Sequence, residues 1–322
     1  MKKVSFELII PGIIVACIGL LIAKLVSGIY FFYVCYAILQ MIALAAAWNI
    51  LGGYTGYVNF GIGGFFAAGA YTSIVLLKYY EVNFLVAILA AGTVSGILGL
   101  LIGYLSIRVR GIYFSISTIA VSTILQMVVL NTPFLGGAKG FKIIRPPAFP
   151  PFSNYIEFLF LLILLISFFA VAVSRLIEKS WIGRSFLAIK DSEQAAETSG
   201  VATLKLKILA TVVSCALMGI AGAPYPYFIT LLEPYSAMGL TLGTYAFAAV
   251  FVGGRGCWFG PIIGAVLLGG LQQSVTVMIS SEWNILVVGL VIIAFVLLAP
   301  NGVVGLLKGR KKPVLLKKKD RV

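Results

Sequence analysis

Ten times along this chain a run of about 20 apolar residues recurs with no Asp, Glu, His, Lys or Arg near its middle. The runs lie near 8–23, 29–51, 58–78, 84–106, 111–131, 157–177, 206–230, 237–254, 259–280 and 283–300. Such a run crosses the hydrocarbon of a bilayer as an α-helix. Helices and closed barrels are the spanning backbones whose polar groups are all paired in lipid. Barrel strands alternate apolar and polar residues over roughly 10 positions, whereas these runs are continuous. The chain is therefore expected to be an all-α integral membrane protein of about ten transmembrane helices. Its make-up agrees: 61% of the 322 residues are hydrophobic and 11% are charged, against about 25% charged in a soluble domain. Residues 1–307 are read as one polytopic domain and 308–322 as a basic tail. The first run is expected to stay as a helix, because Leu25-Val26-Ser27 is a poor match to a small-x-small cleavage site.

The net charge of +14 does not point to nucleic acid. Eight of the 24 Lys and Arg lie between Lys308 and Arg321, and the remainder sort as topology signals. With the N-terminus inside, Arg108, Arg110, the basic residues from Arg175 to Lys207, Arg255 and the tail all fall inside. Lys24, Lys78, Lys139, Lys142 and Arg145 fall outside, a split of 19 to 5. The positive-inside rule then places both termini in the cytoplasm. It also makes Thr132–Tyr155, rich in Gly and Pro, an ordered external loop.

The absence of ionisable groups at mid-span argues against proton coupling, since charge inside a membrane is retained for function. Sodium coupling through backbone carbonyls and hydroxyls at broken helices remains open. With no histidine, no clustered acids and four isolated cysteines, Cys17, Cys35, Cys215 and Cys257, neither an enzyme site, a metal site nor a cofactor is expected.

Two stretches are rich in glycine: LGGYTGYVNFGIGGFFAAGA at 51–70 and GGRGCWFGPIIGA at 253–265. They share a Gly-Gly pair followed by spaced small residues, which hints at an internal repeat. Such spacing serves close helix packing. It also allows a helix to break, so that Tyr54, Thr55, Asn59, Gly61 and Gly64 line a path for a polar solute. Ser117 and Thr118, in a hydroxyl-rich fifth span, are further path candidates. The alternative for them is hydrogen bonding to their own helix.

The longest charged interruption inside the chain is SWIGRSFLAIKDSEQAAETSGVATLKLK at 180–207. Asp191 with Gln194 three residues later resembles a capping box, and Gly200 is placed to end the helix at C′. Ala195 and Ala196 give a small face, flanked by Glu193 and Glu197. Such a helix fits a groove on a cytosolic partner, and it equally fits an ordinary interfacial helix.

Here the sequence resembles the permease subunits of ATP-binding-cassette importers for branched-chain amino acids. The permease signature, Glu-Ala-Ala, three residues, then Gly, appears as Gln194-Ala195-Ala196-Glu197-Thr198-Ser199-Gly200, with Glu193 just before it. RVRGIYFSISTIA, LGGAKGF, IGRSFLAIKDSEQAAETSG and VFVGGRGCWFGPIIGA match in the family's order. The resemblance implies a coupling loop at about 178–207 in which Glu193, Gln194, Ala195, Ala196, Glu197 and Gly200 meet cytosolic ATP-binding subunits. It also implies a second homologous permease chain, an extracytoplasmic solute-binding protein and a prokaryotic cytoplasmic (inner) membrane. Many members carry Ser and His where this chain has Asn59 and Gly63. Urea, short amides and aromatic or other carboxylic acids therefore stay open as solutes beside branched-chain amino acids, and an ion-coupled secondary carrier is the alternative of another class.

Overall fold

A computed structural model describes residues 2–25, 28–106, 111–145, 152, 154–278, 281–299 and 302–307. Arg108, Arg110 and the basic tail at 308–322 lie outside the described residues. The chain is an all-α membrane protein. Its first half runs α1 (Lys2–Leu25), α2 (Ile29–Trp48), a π-helical turn (Asn49–Thr55), α3 (Ile62–Tyr79), α4 (Phe84–Ser106), α5 (Ile112–Leu130) and α6 (Tyr155–Lys179). Two short surface helices follow, α7 (Trp181–Asp191) and α8 (Glu193–Thr198). The second half comprises α9 (Thr203–Gly222), α10 (Tyr225–Ile229), α11 (Pro234–Ala237), α12 (Leu240–Gly253), α13 (Gly260–Met278), α14 (Ser281–Leu298) and α15 (Gly302–Leu307). Among the described residues eight helices are long and apolar enough to cross a membrane; the apolar stretches at Pro11–Ala23 in α1 and Leu286–Phe295 in α14 are shorter.

Three of the expected spans are interrupted. The run at 58–78 becomes helical only at Ile62, because Gly56 turns the chain at φ +80° and residues 57–61 form no helix. The run at 206–230 breaks at Pro224, which has no N–H to continue α9 and opens α10 instead. The run at 237–254 begins its helix at Leu240, after an extended Gly239.

Small residues hold the centre together. A Cβ at Gly69 of α3 would lie 2.1 Å from the Gly219 carbonyl oxygen of α9, and one at Gly219 would meet Ser95 and Ala91 of α4. Three helices therefore approach at backbone contact, the packing that lipid favours where the hydrophobic effect supplies no drive between helices. Ser95 adds a hydrogen bond to the Phe65 carbonyl at 2.9 Å, and Ser73 one to the Ala223 carbonyl at 2.8 Å.

At the end of the bundle away from α7 and α8, residues 132–145 form two 3₁₀ turns and β1 (Phe141–Lys142). That strand pairs antiparallel with β2 (Leu231–Leu232), Phe141 opposite Leu232. The Arg145 guanidinium donates to the carbonyls of Tyr227 and Phe228 and to the Tyr33 hydroxyl. It so satisfies α10 carbonyls that the short helix leaves unpaired.

Candidate coupling site and helix break

α2 does not stop at Trp48. It widens into a π-helical turn, the kind of irregularity that recurs at functional sites, and then leaves helical geometry at Gly56. Buried backbone without a helical ladder needs other partners. Here side chains supply them. Trp48 Nε1 donates to the Asn59 carbonyl at 2.7 Å, and the Ser115 hydroxyl to the Val58 carbonyl at 2.8 Å. Phe60 N donates to Thr118 Oγ1 at 3.1 Å, and Gly61 N to Asn59 Oδ1 at 2.7 Å. Asn59 Nδ2 is buried without a partner.

The second glycine-rich stretch lies against this break. Asn49 Nδ2 donates to the Cys257 carbonyl at 3.0 Å, and Asn49 Oδ1 accepts from Gly256 N at 3.1 Å. Gly53 and Gly256 meet closely enough that a Cβ on Gly53 would lie 3.0 Å from Gly256 N. Both stretches thus carry a helix end, a turn and a helix start, packed on each other.

α7 and α8 sit at the break's end of the bundle. Ser180 caps α7 through Gly183 N at 3.3 Å. The cap of α8 is Ser192, whose hydroxyl accepts from Ala195 N at 3.3 Å, one residue beyond the Asp191 start expected from sequence. Ser192 has the extended backbone that an N-cap requires, whereas Asp191 still belongs to α7. Gly200, at φ +81°, closes α8. Its N–H donates to the Glu197 carbonyl at 2.9 Å, and Val201 N donates to the Ala196 carbonyl at 3.0 Å, the two bonds of a Schellman motif.

Side chains tie this surface element to the break at three places. Glu193 forms an ion pair with Lys207 of α9 and accepts from the Tyr57 hydroxyl. Lys207 also donates to the Tyr57 hydroxyl at 3.1 Å and lies 4.8 Å from the centre of that ring. Burial, and then the bond to Glu193, push the Tyr57 phenol upward, so it remains a protonated donor. Lys190 of α7 donates to the Gly53 carbonyl at 2.8 Å, and burial followed by the nearby Arg255 charge lowers its pKa. Glu178, at the end of α6, accepts from the Tyr54 hydroxyl at 3.0 Å and from Trp258 N at 2.6 Å.

The residues singled out from sequence divide accordingly. Gln194, Ala195 and Glu197 are exposed, Glu193 is half-buried, and Ala196 is 3% exposed against the bundle. Glu197 also accepts from the Thr203 hydroxyl at 2.7 Å. Tyr54, Thr55, Asn59, Gly61 and Gly64 are all buried. The Tyr54 hydroxyl lies 3.0 Å from the Ser174 hydroxyl as well, and Thr55 Oγ1 donates to the Leu51 carbonyl at 2.6 Å. Thr118 meets the break, whereas Ser117 donates to the Tyr113 carbonyl of its own helix at 2.8 Å. Sequence reading missed Tyr57, Lys190, Lys207 and Glu178. The charges of Lys190, Lys207 and Glu178 are visible in the sequence and Tyr57 carries none, but partners up to 150 residues away leave no local signal.

A membrane-embedded helical bundle with surface helices fastened to an interior helix break has the architecture of a transport protein's membrane subunit. A family model described as branched-chain amino acid transport system / permease component matches residues 29–296, and the chain belongs to that family. It is similar to the high-affinity branched-chain amino acid transport system permease protein LivM of Salmonella typhimurium, 27% identical over 296 residues, covering 84% of this chain and 69% of LivM. Similarity to the permease protein LivH of the corresponding Escherichia coli system is 25% over 279 residues, covering 81% of this chain and 90% of LivH. The autoinducer 2 import system permease protein LsrC of Yersinia enterocolitica is 28% identical over 134 residues, 40% of this chain and 37% of LsrC. No solved structure matches.

Proposed function

We propose that this chain is the permease subunit of an ATP-driven importer of branched-chain or related amino acids, in the cytoplasmic membrane of a prokaryote. In this reading the chain has ten spans and both termini in the cytoplasm. Cytosolic ATP-binding subunits dock on the exposed residues of α8, Gln194, Ala195 and Glu197. Glu193, Ala196 and Gly200 set the helix's shape and seat it on the bundle. A second homologous permease lies alongside, and a solute-binding protein delivers its cargo at the end that carries the β1–β2 ribbon. Tyr54, Thr55, Asn59, Gly61, Gly64, Ser117 and Thr118 border the path where the helix is interrupted.

The observation that carries this reading is the set of three side-chain ties from the α6–α8 surface to the break. Closure of the ATP-binding subunits displaces α8. The Glu193–Lys207–Tyr57 cluster and the Lys190–Gly53 bond pass that displacement to residues 53–61, of which 56–61 belong to no helix and so take up the dihedral change of a hinge. The chain itself performs no bond chemistry. The curated relatives named for branched-chain amino acid transport support the solute class, and the relative named for autoinducer 2 import indicates that the frame accepts other cargo.

The test is reconstitution of the chain in vesicles with its partner permease, ATP-binding subunits and binding proteins loaded in turn with leucine, urea, a short amide or an aromatic acid. ATP-dependent leucine import, with ATPase stimulated by the leucine-loaded protein, is the expected result. Stimulation by one of the other solutes alone reassigns the cargo. Uptake by this chain alone, driven by an ion gradient, replaces the importer with a secondary carrier.

A further inference from the structure

A cavity of about 450 Å³ lies among α2, α10, α11, α12 and α13, within the volume range of small-molecule sites. One part of its wall is polar, with the carboxamides of Gln40, Gln272 and Gln273 and the rings of Tyr235 and Tyr245. Another part is aliphatic, with Met41, Leu44 and Leu242. No charged side chain is among the described residues that line it.

Gln40 is 6% exposed, and its Nε2 has no hydrogen-bond partner. One turn earlier on the same helix, Tyr36 stacks on the cavity residue Phe228 with ring centroids 3.9 Å apart, and its buried hydroxyl also lacks a partner. Buried polar groups in folded proteins are otherwise almost always paired, and an unpaired one is hardest to sustain inside a membrane. The two lie one turn apart, Gln40 on the cavity wall and Tyr36 behind a wall residue, and neither atom has accessible surface here, so a guest pairs with Gln40 once its carboxamide turns toward the cavity. The cavity also adjoins the first turn of α3, where the helix resumes after the break. Gly239 lines it, and the Gly239 carbonyl oxygen lies 2.8 Å from where a Cβ on Gly63 would stand.

We propose that this cavity is the solute site of the permease, and that its guest is an amino acid without net charge that has an aliphatic side chain. The carboxamides and phenols solvate the ammonium and carboxylate of a zwitterion, and Met41, Leu44 and Leu242 take its side chain. A solute with net charge would lose water here without gaining a counter-ion, which is strongly unfavourable. The absence of charge in the wall also leaves the solute free to depart when the adjoining start of α3 moves. This inference rests on the importer reading and names the place within it.

The experiment is ATP-dependent uptake of radiolabelled L-leucine by the full reconstituted importer, with wild-type chain, Gln40→Leu or Gln272→Leu. Leucine-stimulated ATPase and complex recovery are measured in parallel. Each variant is expected to lose about tenfold in uptake, the size of one or two hydrogen bonds, with recovery of the complex unchanged. Normal uptake in both variants, beside an active wild type, overturns the cavity proposal and leaves the importer reading intact. A wild-type complex that imports no amino acid overturns both. As a measurement independent of folding losses, Gln273→Cys in a chain whose four native cysteines are replaced is treated with a thiol reagent. L-leucine slows the labelling if it occupies the cavity; labelling that leucine does not alter counts against the proposal.

Discussion

Lys207→Met removes the cation at the centre of the tie between α8 and the helix break. Lys207 is 6% exposed, and its Glu193 partner side chain 16%. Breaking a fully buried ion pair costs about 3–5 kcal/mol, largely because the remaining charge has no partner. Glu193 keeps the Tyr57 hydroxyl as a donor and some access to water, which lowers the expected cost to about 2 kcal/mol. On a two-state equilibrium that is a factor of about 30. Released from Lys207, α8 retains Ala196 burial and the Thr203 bond but no longer holds Tyr57 firmly. In reconstituted vesicles, leucine imported per ATP hydrolysed is expected to fall at least about tenfold, with ATPase activity maintained and the thermal midpoint of the purified complex lowered. Glu193→Leu combined with Lys207→Met replaces the pair by apolar side chains. It is expected to recover the midpoint without recovering import per ATP. If Lys207→Met keeps both the import ratio and the midpoint of the wild type, the cluster is not a transmitting tie.

Gly69→Ala places a methyl 2.1 Å from the Gly219 carbonyl oxygen, and α3 and α9 can relieve that only by separating. A loss of at least about 1–3 kcal/mol is expected, read as a lower midpoint of unfolding in detergent, and an unchanged midpoint would refute the contact. Arg145→Ala strips charged donors from the Tyr227 and Phe228 carbonyls, each bond worth about 1.5–3 kcal/mol; proteolysis at the ribbon end is expected to rise, and unchanged protection would count against the capping role. The pKa of Lys190 is lowered by burial, so the unfolded chain holds this proton more tightly than the folded one. Stability from this residue therefore rises as pH climbs through the folded pKa toward the ordinary 10.5. The midpoint of wild type minus that of Lys190→Met should increase over that window, and a decrease would reverse the assignment.

Much of the bundle was legible because a lipid-spanning helix writes itself as length and continuous apolarity. The break was less so. Val58 and Phe60 are apolar enough to count toward a span, and what removes them from α3 is the left-handed turn at Gly56 together with bonds from Trp48, Ser115 and Thr118. Asp191 and Ser192 are both good capping residues, so composition could not choose between them; the backbone at Ser192 did. Glu193 read as an acid on a docking face, yet Lys207, fourteen positions later, draws it inward. The glutamines Gln40, Gln272 and Gln273 left a usable signal, since a carboxamide inside an apolar run needs a partner.

In the proposed importer, α8 faces the ATP-binding subunits and the ribbon end faces the solute-binding protein. Photo-reactive side chains placed singly at Gln194 and at Ile144, the latter 88% exposed beside β1, would be irradiated in the assembled importer. Gln194 is expected to capture an ATP-binding subunit and Ile144 the binding protein. Capture of the binding protein from Gln194, or of an ATP-binding subunit from Ile144, would contradict this arrangement.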